Sequence, residues 1–339
     1  MLYFSKLRIT LIFLVTFFFV FIAVSNFQDS ENSLISKRIN LGLDLQGGSY
    51  LLLEIDNEPV VIQKLQNTTT VIRNFLKNKK INFNDLRIQN KTIVFTIPKQ
   101  NTDLVKTFFL DKESEINPYY NQYKSHQFDV TIEDSNFILT FSKYGLIKIK
   151  TSSQDQALEI VRRRVDEVGT NEPNILKRGN NRILVELPGL DDPMRIKSLL
   201  GKTANLTFRF VTQNSNETFG TEILKFEDGV SEALVSKRII LNGENLLDAQ
   251  PQMNNQTNET VVSFTLDRVG AKRFGKATSS GVGKQLAIVL DGKIVSAPVI
   301  RDTIASGKGQ ISGNFTFQTA TDLALLLRSG ALPAPLKII

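Results

Sequence analysis

Thr92-Ile93-Val94-Phe95-Thr96-Ile97-Pro98 turns an apolar residue to the same side at every second position and closes on a proline. Ninety residues later, Arg182-Ile183-Leu184-Val185-Glu186-Leu187-Pro188 does the same. Each run reads as a strand with one buried face, because strand side chains alternate sides, and each ends where proline removes a ladder donor. Outward from the pair the correspondence continues without a gap: Arg73 falls on Arg163, Phe75 on Val165, Leu86 on Leu176 and Pro98 on Pro188. Gln89-Asn90-Lys91 and Arg178-Gly179-Asn180-Asn181 supply turn residues between a first and a second strand in each copy.

Each copy therefore reads helix, strand, hairpin, strand, helix, the second helices starting near Asn101 and at Asp191-Asp192-Pro193, where N-cap and N1 chemistry is expected. Two helices on one face of an antiparallel sheet is a ferredoxin-like, α+β pattern. Leu51 to Ile55 and Ala204 to Val211 are expected as the outer strands of the second copy, with the first copy inserted after the initial strand. The expected division is 1–36 for a start, membrane helix and linker, 37–58 for the first base strand, and 59–150 for the inserted copy. The base proper follows at 151–211, a separate α+β head at 212–312, and a return helix at 313–339. In the head, strands are expected at Arg238 to Leu241, Val261 to Leu266 and Gln285 to Leu290, a helix at Val269 to Ser279, and a hairpin turn at Asp291-Gly292. The final helix is expected over Thr319 to Arg328. The two crossings between base and head, and hence the hinge, are expected at Thr212-Gln213 and Ser312-Gly313.

Leu7 to Val24 is the only membrane-length apolar run, and its charge-free part would span roughly 24 Å as a helix. Lys6 and Arg8 precede it and Asp29 and Glu31 follow, which places the N-terminus in the cytoplasm and the bulk of the chain outside. A cleaved signal peptide ending at Ala23-Val24-Ser25 is the alternative to a retained anchor, and both export the rest. Sixteen residues on, Leu41-Gly42-Leu43-Asp44-Leu45-Gln46-Gly47-Gly48 sets an acid and three glycines among leucines. It reads as a tight turn into the first strand: Asp44 satisfies backbone donors, and Gly47 and Gly48 admit close packing.

The 339 residues carry 41 Lys and Arg, 34 Asp and Glu, one histidine and no cysteine. The absence of cysteine removes disulfides and thiolate chemistry, and with His126 alone the familiar zinc sites are excluded, so no metal is expected. The net charge of +7 comes from interleaved signs without a stacking motif, which favours a surface near anionic lipid headgroups over a nucleic-acid partner. Gly201-Lys202-Thr203 ends like a phosphate loop but has Ile196 where the first glycine belongs, and Gly281-Val282-Gly283-Lys284 reads as a helix cap and turn. Arg162-Arg163-Arg164 reads as a solvated helix face, and Asp191-Asp192 as helix capping. No arrangement points to catalysis, and no cofactor is expected.

Four segments in this order resemble the SecD family, accessory subunits of the bacterial Sec translocase. They are LGLDLQGG at Leu41 to Gly48 and IVRRRVDEVGTNEPNI at Ile160 to Ile175. RILVELPGL with LLGKTANLTFRFV follows up to Val211, and then QLAIVLDGKIVSAPVI at Gln285 to Ile300 with ISGNF and ALLLRSGALPAPL. The resemblance implies an inner-membrane protein with a periplasmic ferredoxin-like base and a mobile head. Gly42, Asp44, Gly47, Gly48, Arg164, Glu172, Pro173, Pro188 and Gly189 would be structural motif residues of the base, and Asp291, Gly292 and Pro298 of the head. It implies SecF and the SecYEG channel as partners, with YajC and YidC as further candidates, and unfolded exported polypeptide as cargo. The proton-responsive residues of the family would lie in later membrane helices, with no matched position here. A passive assembly domain that merely docks a partner is the alternative function.

Overall fold

The computed structural model describes residues 5–25, 47–170, 173–190, 192–212, 220–254 and 258–339. Helix α1 (Lys6–Ser25) has Leu11, Phe13 and Phe17 among its exposed apolar side chains. Over the described residues, whose side chains in this helix end at Ile22, no helix is long and apolar enough to cross a membrane. The 20 helical residues amount to about 30 Å of rise.

The base is one sheet in which β1 (Gly48–Ile55) and β9 (Arg182–Pro188) are the central strands, with β8 (Asn174–Arg178) at one edge and β19 (Leu336–Ile338) at the other. Leu51, Leu53 and Ile55 alternate inward against Ile183, Val185 and Leu187, and helix α4 (Lys143–Val168) covers them with Ala157, Val161 and Val165. Helix α5 (Met194–Leu200) adds Ile196 and Leu200 to the same core. Taken in chain order the four strands lie fourth, first, third, second, which is the ferredoxin-like arrangement.

One expectation is corrected here. The fourth strand is not 206–210 but β19, whose Leu336 pairs with Ile55 and whose chain brings Leu332 and Ala334 into the base core. Strand β10 (Leu206–Phe210) instead pairs along its length with β16 (Leu286–Leu290) in a head sheet, Phe208 opposite Ile288. Both its faces are buried at Leu206, Thr207 and Phe208, which suits a strand central in a closed core and not an edge of the base.

The inserted copy follows β1. Helix α2 (Glu58–Asn78), strands β2 (Asn84–Gln89) and β3 (Thr92–Thr96), and helix α3 (Thr102–Leu110) match the expected order. A small hairpin, β4 (Tyr119–Tyr120) with β5 (Ser125–His126), then precedes β6 (Phe128–Glu133) and β7 (Asn136–Phe141), and the sheet runs β2-β3-β7-β6. Its core is aromatic: Phe95 stacks on Phe137 with ring centroids 5.1 Å apart, and Phe109 closes over both. Asn90 and Lys91 both take positive φ at the β2–β3 tip, the geometry that two-residue hairpins require.

The head contains β11 (Thr221–Lys225), β12 (Glu232–Ser236), β13 (Leu241–Asn242), β14 (Leu246–Met253), β15 (Thr260–Leu266), β17 (Lys293–Ser296) and β18 (Lys308–Phe315) besides β10 and β16. Two of its sheets, β13-β10-β16-β17 and β14-β15-β18, enclose a core in which Phe208, Phe264 and Phe274 meet ring to ring. Phe274 comes from helix α6 (Arg268–Ser280), and helix α7 (Phe317–Ser329) completes the core with Ala320, Leu323, Ala324 and Leu327. The expected return helix is thus part of the head, and the strand after it rejoins the base.

Candidate functional site

Gly47 and Gly48 meet Pro188 and Gly189 at one end of the base sheet. Gly48 pairs with Pro188, the Gly189 N–H donates to the Gly47 carbonyl at 3.0 Å, and the Ser49 hydroxyl donates to the Leu190 carbonyl at 2.9 Å. A Cβ on Gly48 would lie 2.4 Å from the Leu187 carbonyl oxygen, and its φ of +137° is a conformation open to glycine alone. The glycine pair therefore serves close backbone approach. Gly42, Asp44, Glu172 and Asp191 lie outside the described residues, while Pro173 leads half-buried into β8.

Arg164 is placed otherwise than the triple-arginine run suggested. Arg162 and Arg163 are exposed, but Arg164 is fully buried on the inner stripe of α4 with Val161 and Val165. Each of its five N–H groups has an acceptor. Nη1 donates to the carbonyls of Leu199, at 2.8 Å, and Lys202; Nη2 donates to Thr203, at 3.2 Å, and Gly330, at 3.1 Å; Nε donates to the Ser329 hydroxyl at 3.3 Å. These acceptors cluster at the carbonyl ends of α5 and α7, whose partial negative charge stands in for a carboxylate. Burial pushes the guanidinium down, Asp291 opposes the shift, and the net value of about 10 keeps it charged at neutral pH.

Asp291 holds the same segment from the other side. Its carboxylate accepts from the backbone N–H of Ala204 at 3.1 Å and of Asn205 at 2.8 Å, and from the Thr203 hydroxyl. Asp291 and Gly292 both take positive φ, the turn that joins β16 to β17. Arg164 takes the carbonyls of this stretch and Asp291 its amides.

That stretch is where the chain leaves the base for the head. The expected hinge is corrected accordingly: the Thr212 N–H donates to the Leu234 carbonyl inside the head, and Ser312 and Gly313 lie within β18. Gln213 lies outside the described residues. The two crossings run through 201–205 and 330–335, because β10 and α7 belong to the head. Inner-stripe periodicity was the available signal for Arg164: 157, 161, 164/165 and 168 fall on one helical face.

Two concavities lie among the described residues of the head. A cleft of about 770 Å³ lies between β17, β18 and α7, lined by Lys202, Glu227, Asp228, Glu259, Asp322 and Phe315 among others. A smaller cavity of about 330 Å³ is mainly apolar, walled by Phe208, Phe264, Phe274 and Ile288, with Pro298 and Val299 at its rim and Arg301, Asp302 and Gln310 among its polar lining. Pro298 is fixed there by its carbonyl, which accepts from the Leu286 N–H at 2.9 Å. Among the described residues no group of three or more His, Asp or Glu side chains could hold a metal. His126 is half-buried, its Nδ1 3.0 Å from the Asn117 carbonyl and its ring edge-on to Tyr119.

Three family models match the chain in order: the SecD/SecF GG motif over 33–58, the N-terminal part of the P1 domain of protein translocase subunit SecDF over 154–213, and the SecDF P1 head subdomain over 221–334. Protein translocase subunit SecD of Rickettsia bellii is 37% identical over 342 residues, covering 98% of this chain and 64% of that protein. The counterpart from Calditerrivibrio nitroreducens is 36% identical over 355 residues, covering 98% and 65%. A crystal structure of SecDF in a super-membrane-facing form covers 98% of this chain and 35% of that one, with a TM-score of 0.53 at 24% identity, a likeness of fold. The chain thus spans 64% of the length of its Rickettsia bellii relative. Matched through nearly its whole length, with the glycine pair and β1 in one family model, β8, β9 and α5 in a second and most of the head in a third, it belongs to the SecD family of protein translocase subunits.

Proposed function

We propose that this chain is the anchor, base and head of a Sec translocase accessory subunit, and that the head captures exported polypeptide on the outer face of the membrane. In that arrangement α1 lies in the inner membrane with its N-terminus in the cytoplasm. SecF and the SecYEG channel are the partners, YajC and YidC further ones, and proton-motive force drives the cycle. The observation that carries the proposal is the aromatic cavity of the head. An unfolded chain offers apolar side chains in no fixed order, and a concavity whose walls are mainly apolar, Phe208, Phe264 and Phe274 among them, accepts such groups by burial.

Val299 tests the proposal, since it is half exposed at the rim. A photo-crosslinker placed there traps a polypeptide stalled in export, whereas one at the exposed Gln156 of the base does not. Trapping from the base alone overturns head capture and leaves a passive docking domain.

A further inference from the structure

We propose that Arg164 sets the orientation of the head on the base by pinning both chain crossings at one buried point. Covalently, base and head are joined only through 201–205 and 330–335, given that β10 and α7 pack in the head and β19 in the base. Arg164 bonds to carbonyls of both: Lys202 and Thr203 in the first, Gly330 in the second.

The rest of the joint is slight. Its apolar part is Leu199, Ala204, Leu325 and Leu326, with Val168 beside them, while each lobe has a much larger core of its own. Around it lie exposed or partly exposed ion pairs, Arg195 with Asp322 at 2.9 Å and Arg328 with Glu167, which contribute little because solvent screens them. A small, polar-rimmed interface leaves relative motion as the default. What opposes it is a guanidinium with all five donors used. Turning α7 against α4 and α5 breaks the bonds to Ser329 and Gly330 and leaves a buried charge with open donors, whose desolvation is not returned. The planar fork matters, because a lysine at 164 has three donors to offer where five acceptors stand.

This inference concerns how the lobes are held and does not depend on capture of polypeptide. The cysteine-free chain allows a direct test: Gln156→Cys on α4 and Lys276→Cys on α6 take spin labels for pulsed-EPR distances between base and head. With Arg164 in place the distance distribution is narrow. Arg164→Lys broadens and shifts it, and Ser329→Ala, which removes one acceptor and leaves the cores untouched, broadens it to a lesser degree. Circular dichroism and amide-exchange protection of β9 and β15 stay as in the parent chain, because a pin loss, unlike a folding loss, moves the lobes without opening them. Should Arg164→Lys fail to fold, Ser329→Ala decides alone. A distribution unchanged in the folded variants overturns the proposal, as does one that is already broad with Arg164 present.

Discussion

At the scale of single residues, the backbone contact at Gly48 and the buried charge at Arg164 represent two kinds of constraint. Gly48 has no room for a side chain and a φ that side chains disfavour, so Gly48→Ala costs on the order of 2–3 kcal/mol of unfolding free energy. Gly189 also has positive φ, but an added methyl group there would meet nothing within 4 Å, so Gly189→Ala costs about 1 kcal/mol. Urea unfolding of the two variants checks the difference, and equal losses would remove the steric account of the glycine pair. Asp291 belongs to this scale as well. Asp291→Ala leaves the amides of Ala204 and Asn205 without their acceptor and is expected to destabilise by about 2–3 kcal/mol, more than loss of a surface turn residue.

At the scale of elements, helix starts are held by side-chain caps in the head. Thr316 caps α7 reciprocally with Thr319, and Thr316→Ala is expected to cost about 1 kcal/mol, measurable as a lowered thermal midpoint. Asp267 caps α6. The backbone N–H of Gly270, then the Asn245 amide, hold its carboxyl below the ordinary range, with smaller help from Arg273. A depressed folded pKa means that the stabilisation is present above the unfolded value, about 3.9, and is lost as pH falls through the lowered folded value. Amide-exchange protection in the first turn of α6 therefore declines at acid pH, and Asp267→Asn, which caps without titrating, abolishes that part of the decline. Identical acid profiles for the two proteins would count against the cap.

Elements were also the scale at which the sequence was most legible. The period-two runs at 92–97 and 182–187 became β3 and β9, and their positions 90 residues apart marked two related units, because strand alternation and turn chemistry are local properties. Asp291-Gly292 was legible as a hairpin for the same reason. Strand β19 was not: three residues carry no period, and only pairing with β1 makes Leu336–Ile338 a strand.

At the scale of the whole molecule, the three largest apolar cores among the described residues are strung on one chain. The inserted copy keeps its own, and α4 links it to the base by contributing Ile149 to the first and Val161 to the second. Phe95→Ala is therefore expected to cost about 3–5 kcal/mol within the inserted copy while leaving β15 amides in the head as protected as before. Loss of protection in all three lobes together would show a single cooperative unit instead.

By itself the sequence determined the helix-strand-strand-helix order of the two related stretches, the turn residues within them, the inventory that offers neither cysteine nor a histidine pair, and the motifs that mark the family. Tertiary structure alone decided which strand closes the base sheet, that β10 belongs to the head, and that the crossings lie at 201–205 and 330–335. The physical reason is range. Periodicity and capping act over a few residues, whereas β1 finds its partner β19 at the far end of the chain. The burial of Arg164 likewise depends on helix ends that the sequence keeps far apart, at Leu199 and Gly330.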